Sequence, residues 1–373
     1  MRLLMIDSGA FTVWNKGLNI DLNAYIEFCK EAPAADYYVN LDVIPGTPGK
    51  IHAAKPSDID DACKRGWDNY QKMLKHLPFE KVIPVFHQHD KPEWLVNMIE
   101  FGCPYVGISP ANDRSSTQKI GWLNRDVLPH ILGSDGKPVV KTHGFAVTSF
   151  RLMKFFPWYS VDSSTWVKLA GYGIVMIPRK GKRGHWDFGK EPLQLAVSPR
   201  SPQRSEPGKH YFSLTPKVRQ NVDEYFHSLG LTIGKWGVVE GKKEFEAPHQ
   251  EANFGLGVRD PICFDKKKTG QDIEIIENGV AVDRKMRAWL NARFLSLSNK
   301  ALPLEHIYFA GSVHYDELEP KLRKRLISYH YILAGMQKEF DLHSRLVSNW
   351  RRKNESKSRR TPEESRSSIA GAK

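Results

Sequence analysis

Short apolar runs alternate with amphipathic, charge-studded stretches along the first half of the chain. Leu3-Leu4-Met5-Ile6 opens the series, and Tyr37 to Ile44, Lys81 to His87, Tyr105 to Ser109, Val139 to Phe145, Tyr159 to Asp162 and Gly173 to Ile177 continue it. Runs of this length bounded by turn residues read as buried strands, and the longer periodic stretches between them as helices. Asn23 to Lys30, Asp58 to Leu77 and the segment from Pro92 carry the helical pattern. Strands alternating with helices predict βαβ units and a parallel sheet.

The polar positions sharpen this picture. Asp7, Asp42, His87, Ser109, His143 and Asp162 each fall at the end of a predicted strand. An apolar strand gains nothing by ending so, six times in order. In (β/α) barrels the working residues sit at the C-terminal ends of the strands. The sequence therefore predicts an α/β protein, a (β/α)8 TIM-like barrel over residues 1–340.

After Pro178 the alternation breaks. Residues 179 to about 216 are rich in Pro, Ser, Lys and Arg and read as an inserted loop; helices are expected near Val218–Leu229 and Asp283–Leu297. Together these make a basic insertion at about 179–300. Ile307 to Gly311 reads as an eighth strand, and a helix from Pro320 to Phe340 is expected to close the barrel. Residues 341–373 are dominated by Arg, Lys, Ser and Glu, the composition of a disordered tail.

The net charge of +13 is unevenly spread. Residues 179–219 hold ten Lys/Arg against three Asp/Glu, and residues 341–373 nine against four, which leaves the rest of the chain nearly neutral. Concentrated positive charge is the footprint of a polyanionic partner, although a solvated surface segment has the same composition. Arg179, Lys180, Lys182 and Arg183 are the candidate nucleic-acid contacts. Trp186, Tyr211, Phe212 and Trp236, in or near the insertion, serve equally to stack on bases or to pack it onto the barrel. Cys29, Cys63, Cys103 and Cys263 form no C-x-x-C pair, which argues against a disulfide framework or a cysteine zinc site. With no apolar run of membrane-spanning length and no signal-peptide pattern, the expected setting is cytoplasmic and free of membranes.

Two stretches share one shape: Ile6-Asp7-Ser8-Gly9-Ala10-Phe11 and Tyr159-Ser160-Val161-Asp162-Ser163-Ser164. Each is a strand ending in Asp-Ser. Taken singly, either Asp also suits the cap of a following helix. Taken together, two carboxylates on parallel strand ends can face one reacting atom, as in a retaining glycosidase or a base-exchange enzyme. His87, His89 and His143 are candidate polar site residues or proton shuttles; His185, His210 and His249 are expected at the surface.

The series Asp7-Ser8-Gly9-x-Phe11, Leu41-Asp42, the strand ending at His87, Gly107-Ile108, His143-Gly144 and Val161-Asp162 resembles the tRNA-guanine transglycosylase superfamily. It looks most like the DNA-directed branch, the 7-deazaguanine DNA transglycosylases of phages and bacterial modification islands, in which case the setting is the host cytoplasm. The resemblance covers about Leu3 to Pro178. It implies Asp162 as the nucleophile on the sugar and Asp7 as the general acid/base. It implies Phe11 stacking on the purine, Asp42 binding its amino and ring N–H edge, and Gly107 meeting the base through its backbone. His87, with Gln88 beside it, stands where the family usually has Gln, and His143 joins the base-binding set. The family's C-terminal zinc site of clustered cysteines and a histidine has no counterpart here, so no metal and no cofactor is expected. A basic insertion in place of that region favours DNA over tRNA, with a free 7-deazaguanine base as second substrate. A tRNA-guanine transglycosylase is the alternative, ahead of a glycoside hydrolase or a noncatalytic nucleic-acid-binding barrel.

Overall fold

The computed structural model describes residues 3–31, 35–46, 54–201, 203, 206–239, 272–313 and 329–334. The tail 341–373 and His249 lie outside them. In chain order the first elements are β1 (Leu3–Asp7), α1 (Ala10–Asn15), α2 (Leu22–Glu31), β2 (Tyr37–Val39), α3 (Pro56–Leu74), β3 (Val82–Ile83), β4 (Val85–His87) and α4 (Pro92–Glu100). Next come β5 (Tyr105–Ser109), α5 (Ser116–Trp122), α6 (Leu128–Ile131), β6 (Lys141–Gly144), α7 (Phe150–Phe155), β7 (Ser160–Ser163) and α8 (Thr165–Gly171). The second half adds β8 (Ile174–Ile177), β9 (Arg179–Lys180), β10 (Trp186–Asp187), β11 (Leu193–Ala196), α9 (Pro216–His227), β12 (Lys235–Val239) and β13 (Asp272–Glu277). It ends with α10 (Arg284–Asn299), β14 (His306–Val313) and β15 (Tyr329–Ala334).

The protein is a mixed α/β fold. One sheet has the order β3-β2-β1-β15-β14-β7-β6-β5-β4. Its two ends are halves of one chain stretch: Val82 and Ile83 pair with β2, Val85 to His87 pair with β5, and only Pro84 separates them. Proline has no N–H to give a ladder, which is why the stretch changes partner there. The hydrogen-bonded pairing thus runs round a ring, parallel throughout except at β15, which lies antiparallel to both β1 and β14.

Side-chain alternation assigns the two faces of this ring, since successive residues of a strand point opposite ways. Leu3, Met5, Val39, Ile83, Val85, Tyr105 and Tyr308 pack with one another in one cluster. Ile6, Val82, Phe86, Val106, Ile108, Val161 and Ile307, the alternate positions, join the larger core formed with the helices. Asp7 therefore continues the inner face of Leu3 and Met5, and Asp162 that of Ser160. Helix α3 shows why the outer layer forms: Pro56 starts it, Asp58 reaches back to the Lys55 N–H at 3.3 Å, and Ala62, Gly66, Tyr70 and Met73 are its buried stripe.

The structure corrects the sequence reading in three places. Ile174–Ile177 leaves the ring and pairs antiparallel with β11, because β7 takes β14 as its direct neighbour. Part of the expected helix Pro320–Phe340 is a strand, Tyr329–Ala334, whose aromatic and β-branched residues suit extended backbone. The expected inserted loop contains strands, and around them a second core of Val175, Ile177, Leu195, Tyr211, Val222, Phe226 and Leu290. Buried polar groups of α10 tie that core to the ring's helices. Asn291 accepts from Met176 N and donates to the Trp166 and Ile174 carbonyls, while Arg287 donates to the Ala170, Val280 and Ala281 carbonyls. Among the described residues, no helix is long and apolar enough to cross a membrane.

Candidate functional site

Because the strands that carry them are parallel, Asp7, Asp42, His87, Ser109, His143 and Asp162 all reach one end of the ring. Asp7 ends β1, and Gly9, at φ 75, lets the chain turn at once into α1. Burial pushes the Asp7 carboxyl up, and the charges of Asp42 and Asp162 push it further, to about 7. Three carboxylates from distant parts of the sequence thus share one field. Phe11, in the first turn of α1, is 52% exposed and lies against Trp14, an aromatic face open to a planar ligand.

Asp42 follows β2 on a short irregular stretch held from several sides. Asn40 donates to the Gly66 carbonyl at 2.9 Å and Asn69 to the Leu41 carbonyl at 2.8 Å, clamping the stretch onto α3. The Asp42 Oδ2 lies 2.8 Å from His87 Nε2. On the other side of that ring, His87 Nδ1 is 3.3 Å from Asp90 Oδ2, which also accepts the His87 backbone N–H at 2.8 Å. Burial works against charge on His87, yet Asp90 and Asp42 outweigh it and raise the imidazole to about 10. His89 stacks on His87 with ring centroids 5.2 Å apart. Burial and the neighbouring His87 drive its imidazole down to about 4. Among the described residues, His87, His89 and Asp90 form a group able to hold a metal, with one ligand atom of each lying within 4.8 Å of the others.

Asp162 is buried, and its Oδ1 accepts the Ala146 backbone N–H at 2.5 Å. Below it lies His143, fully buried, with Nε2 3.6 Å from the same oxygen. His143 Nδ1 is 2.6 Å from Ser160 Oγ, which in turn bonds the Tyr105 hydroxyl. The Phe145 ring packs edge-on to His143 at 4.6 Å. The structure thus places His143, expected in the base-binding set, fully buried beside the Asp162 carboxylate. Phe145 also explains Gly107: a Cβ there would come within 2.4 Å of that ring. Gln88 turns its Oε1 to the Ala111 N–H at 2.9 Å and fixes the loop after β5.

The basic residues are divided. Lys180 pairs with Glu224 and sits over the Trp186 ring, and Arg179 donates to the Glu191 carbonyl. Lys182 and Arg183 are exposed at the turn between β9 and β10. Trp186 packs edge-on against Tyr225 and Tyr211 is buried, so these aromatics build the second core, whereas Phe212 is 51% exposed. His210, expected at the surface, is buried and lies 3.1 Å from the Ser198 carbonyl. Sequence reasoning passed over Asp90, Ala146, Ser160 and Tyr105. Only the run His87-Gln88-His89-Asp90 carried a signal, two histidines and a carboxylate within four residues.

No protein-family model, no curated protein and no solved structure matches this chain.

Proposed function

We propose that the protein is a base-exchange transglycosylase on a variant (β/α)8 barrel. It replaces guanine in a nucleic acid, DNA in preference to tRNA, with a 7-deazaguanine base. The observation that carries this reading is the pairing of unlike carboxyls at one end of the ring. Asp7 is raised to about 7, while Asp162 is steadied by a backbone N–H. Exchange needs both kinds. Departure of a base builds positive charge on the sugar, and an ionised carboxylate at the anomeric carbon traps it as a covalent ester. A second carboxyl near neutrality protonates the leaving base and later takes a proton from the incoming one.

In this reading Asp162 attacks the anomeric carbon as the carbon–nitrogen bond to guanine breaks, and Asp7 delivers a proton to the departing purine. The incoming base then attacks the ester from the face the first one left, and Asp162 departs as carboxylate. Phe11 supplies a stacking face. Asp42, backed by His87, accepts from the amino and ring N–H edge of the purine, with Gln88 and Gly107 around it. Lys182 and Arg183 offer the exposed charge for phosphates.

The test is incubation of the full chain with duplex DNA, single-stranded DNA or tRNA and labelled guanine or 7-deazaguanine, followed by nucleoside analysis. Label should enter DNA, and denaturing electrophoresis should trap a protein–DNA adduct. Asp162→Asn should lose both incorporation and adduct. Incorporation into tRNA alone would reassign the substrate. Normal turnover by Asp162→Asn would remove the nucleophile role.

A further inference from the structure

We infer that His87, His89 and Asp90 form a binding site for a divalent first-row transition cation, with Asp42 as the carboxylate that orients His87. The first support is spacing. Asp90 turns one oxygen to each imidazole, Oδ2 at 3.3 Å from His87 Nδ1 and Oδ1 at 3.5 Å from His89 Nε2. Asp90 thus faces both rings at once. One ligand atom from each of the three residues lies within 4.8 Å of the others, near enough to converge on a single ion bound at about 2.0–2.2 Å. His89 Nε2 is buried and has no hydrogen-bond partner, which for a polar atom inside a protein calls for an explanation.

The second support is the surrounding shell. A histidine that binds metal through one ring nitrogen characteristically gives its other N–H to a carboxylate, and a ligating carboxylate is itself hydrogen-bonded. Here His87 Nε2 lies 2.8 Å from Asp42 Oδ2, and Nδ1 is the ring nitrogen on the Asp90 side, where an ion would take the place of its proton. Asp90 Oδ2 is held at 2.8 Å by the His87 backbone N–H. Both ligand types are thus oriented by groups that do not themselves bind the ion. His89 also lines an open cavity with Gln88, Trp122 and Arg125, which gives an ion a way in.

The donor set fixes the class of ion. Two imidazoles and one carboxylate suit Zn²⁺, Co²⁺, Fe²⁺ or Mn²⁺, whereas Ca²⁺ and Mg²⁺ favour all-oxygen shells. Three protein ligands leave coordination positions for water or a ligand. The site does not depend on which reaction the two aspartates perform.

The experiment uses the full chain after dialysis against a chelator, titrated with CoCl₂ followed by visible absorption and with ZnCl₂ followed by calorimetry. One equivalent should bind. His89→Ala and Asp90→Asn should each weaken it at least tenfold, and Asp42→Asn by about 10–100-fold. The exposed His185→Ala should bind as wild type. Histidine ring ¹⁵N spectra of the unaltered chain provide a second reading: Zn²⁺ should shift two imidazoles, which the spectrum of a His87→Gln, His89→Gln chain identifies. Absence of stoichiometric binding, affinity unchanged in both His89→Ala and Asp90→Asn, or unmoved His87 and His89 resonances would each overturn the site.

Discussion

Ala146 donates its backbone N–H to Asp162 Oδ1 at 2.5 Å, and it does so from φ 52, in the left-handed region. It is the only non-glycine with a positive φ among the described residues. An L-residue there costs roughly 1–2 kcal/mol, and such strain persists where the surroundings over-determine it. The strained residue and the buried carboxylate hold each other.

Ala146→Val should accordingly lose about 1–2 kcal/mol of stability or more, because β-branching makes the left-handed region costlier. It should lose activity with it, as the N–H swings away from Asp162. Ala146→Gly keeps both the N–H and the φ, so it should remain active and close to wild type in stability. Urea denaturation and the exchange assay on both variants check this; equal behaviour of Val and Gly would detach the strain from the site.

Asp7 gives a pH dependence of definite sign. Its carboxyl ionises near 3.8 in an unfolded chain and near 7 in the fold. Between those values the native state holds the extra proton, so Asp7 makes stability fall as pH rises from about 4 to about 7. One unit corresponds to about 1.4 kcal/mol, so the burden above pH 7 is on the order of a few kcal/mol. Asp7→Asn should match wild type near pH 4 and exceed it in stability at pH 8, while losing exchange. Stability curves that stay parallel from pH 4 to pH 8 would show that Asp7 titrates normally.

On the hairpin, the charges free to meet phosphate are Lys182 and Arg183. Each phosphate contact contributes about −0.9 to the slope of log K against log salt on duplex DNA. Lys182→Ala with Arg183→Ala should flatten that slope by up to about 2. Arg179→Ala with Lys180→Ala should change it less, since Lys180 is already paired with Glu224. Free-base binding should be untouched in both. A DNA titration across salt separates the pairs, and an identical slope in the Lys182/Arg183 variant would move the nucleic-acid contact elsewhere.

How much of this was legible follows from what sequence encodes. Strands β1, β5 and β7 could be read because their apolar runs end abruptly in Asp or Ser, and the end of a parallel strand is a place in space. Ile174–Ile177 misled because an apolar run says that it is buried and not which sheet buries it. Tyr329–Ala334 lay inside a Lys-, Arg- and Leu-rich stretch whose spacing suited a helix. Asp90, two residues before the proline that opens α4, reads as an ordinary helix-start acid. His143 carried the right chemistry but not its depth: burial is a property of neighbours such as Tyr105 and Tyr308, which arrive from elsewhere in the chain. Nothing in an alanine announces a left-handed backbone.

Strand β15 has a consequence for the order of events during synthesis. Leu3 is paired with Ala334, so the first strand waits for one of the last. At a translation speed of about 5–20 residues per second, a nascent chain spends roughly half a minute with one edge of β1 open, its N–H and C=O groups unmatched. Contacts so distant in sequence form late and slowly, and an uncovered strand edge invites other chains. The wall beside Asp7 is therefore installed late. A chain stopped short of Tyr329 lacks that wall, and its exposed β1 edge makes it a candidate for aggregation rather than a shorter working protein.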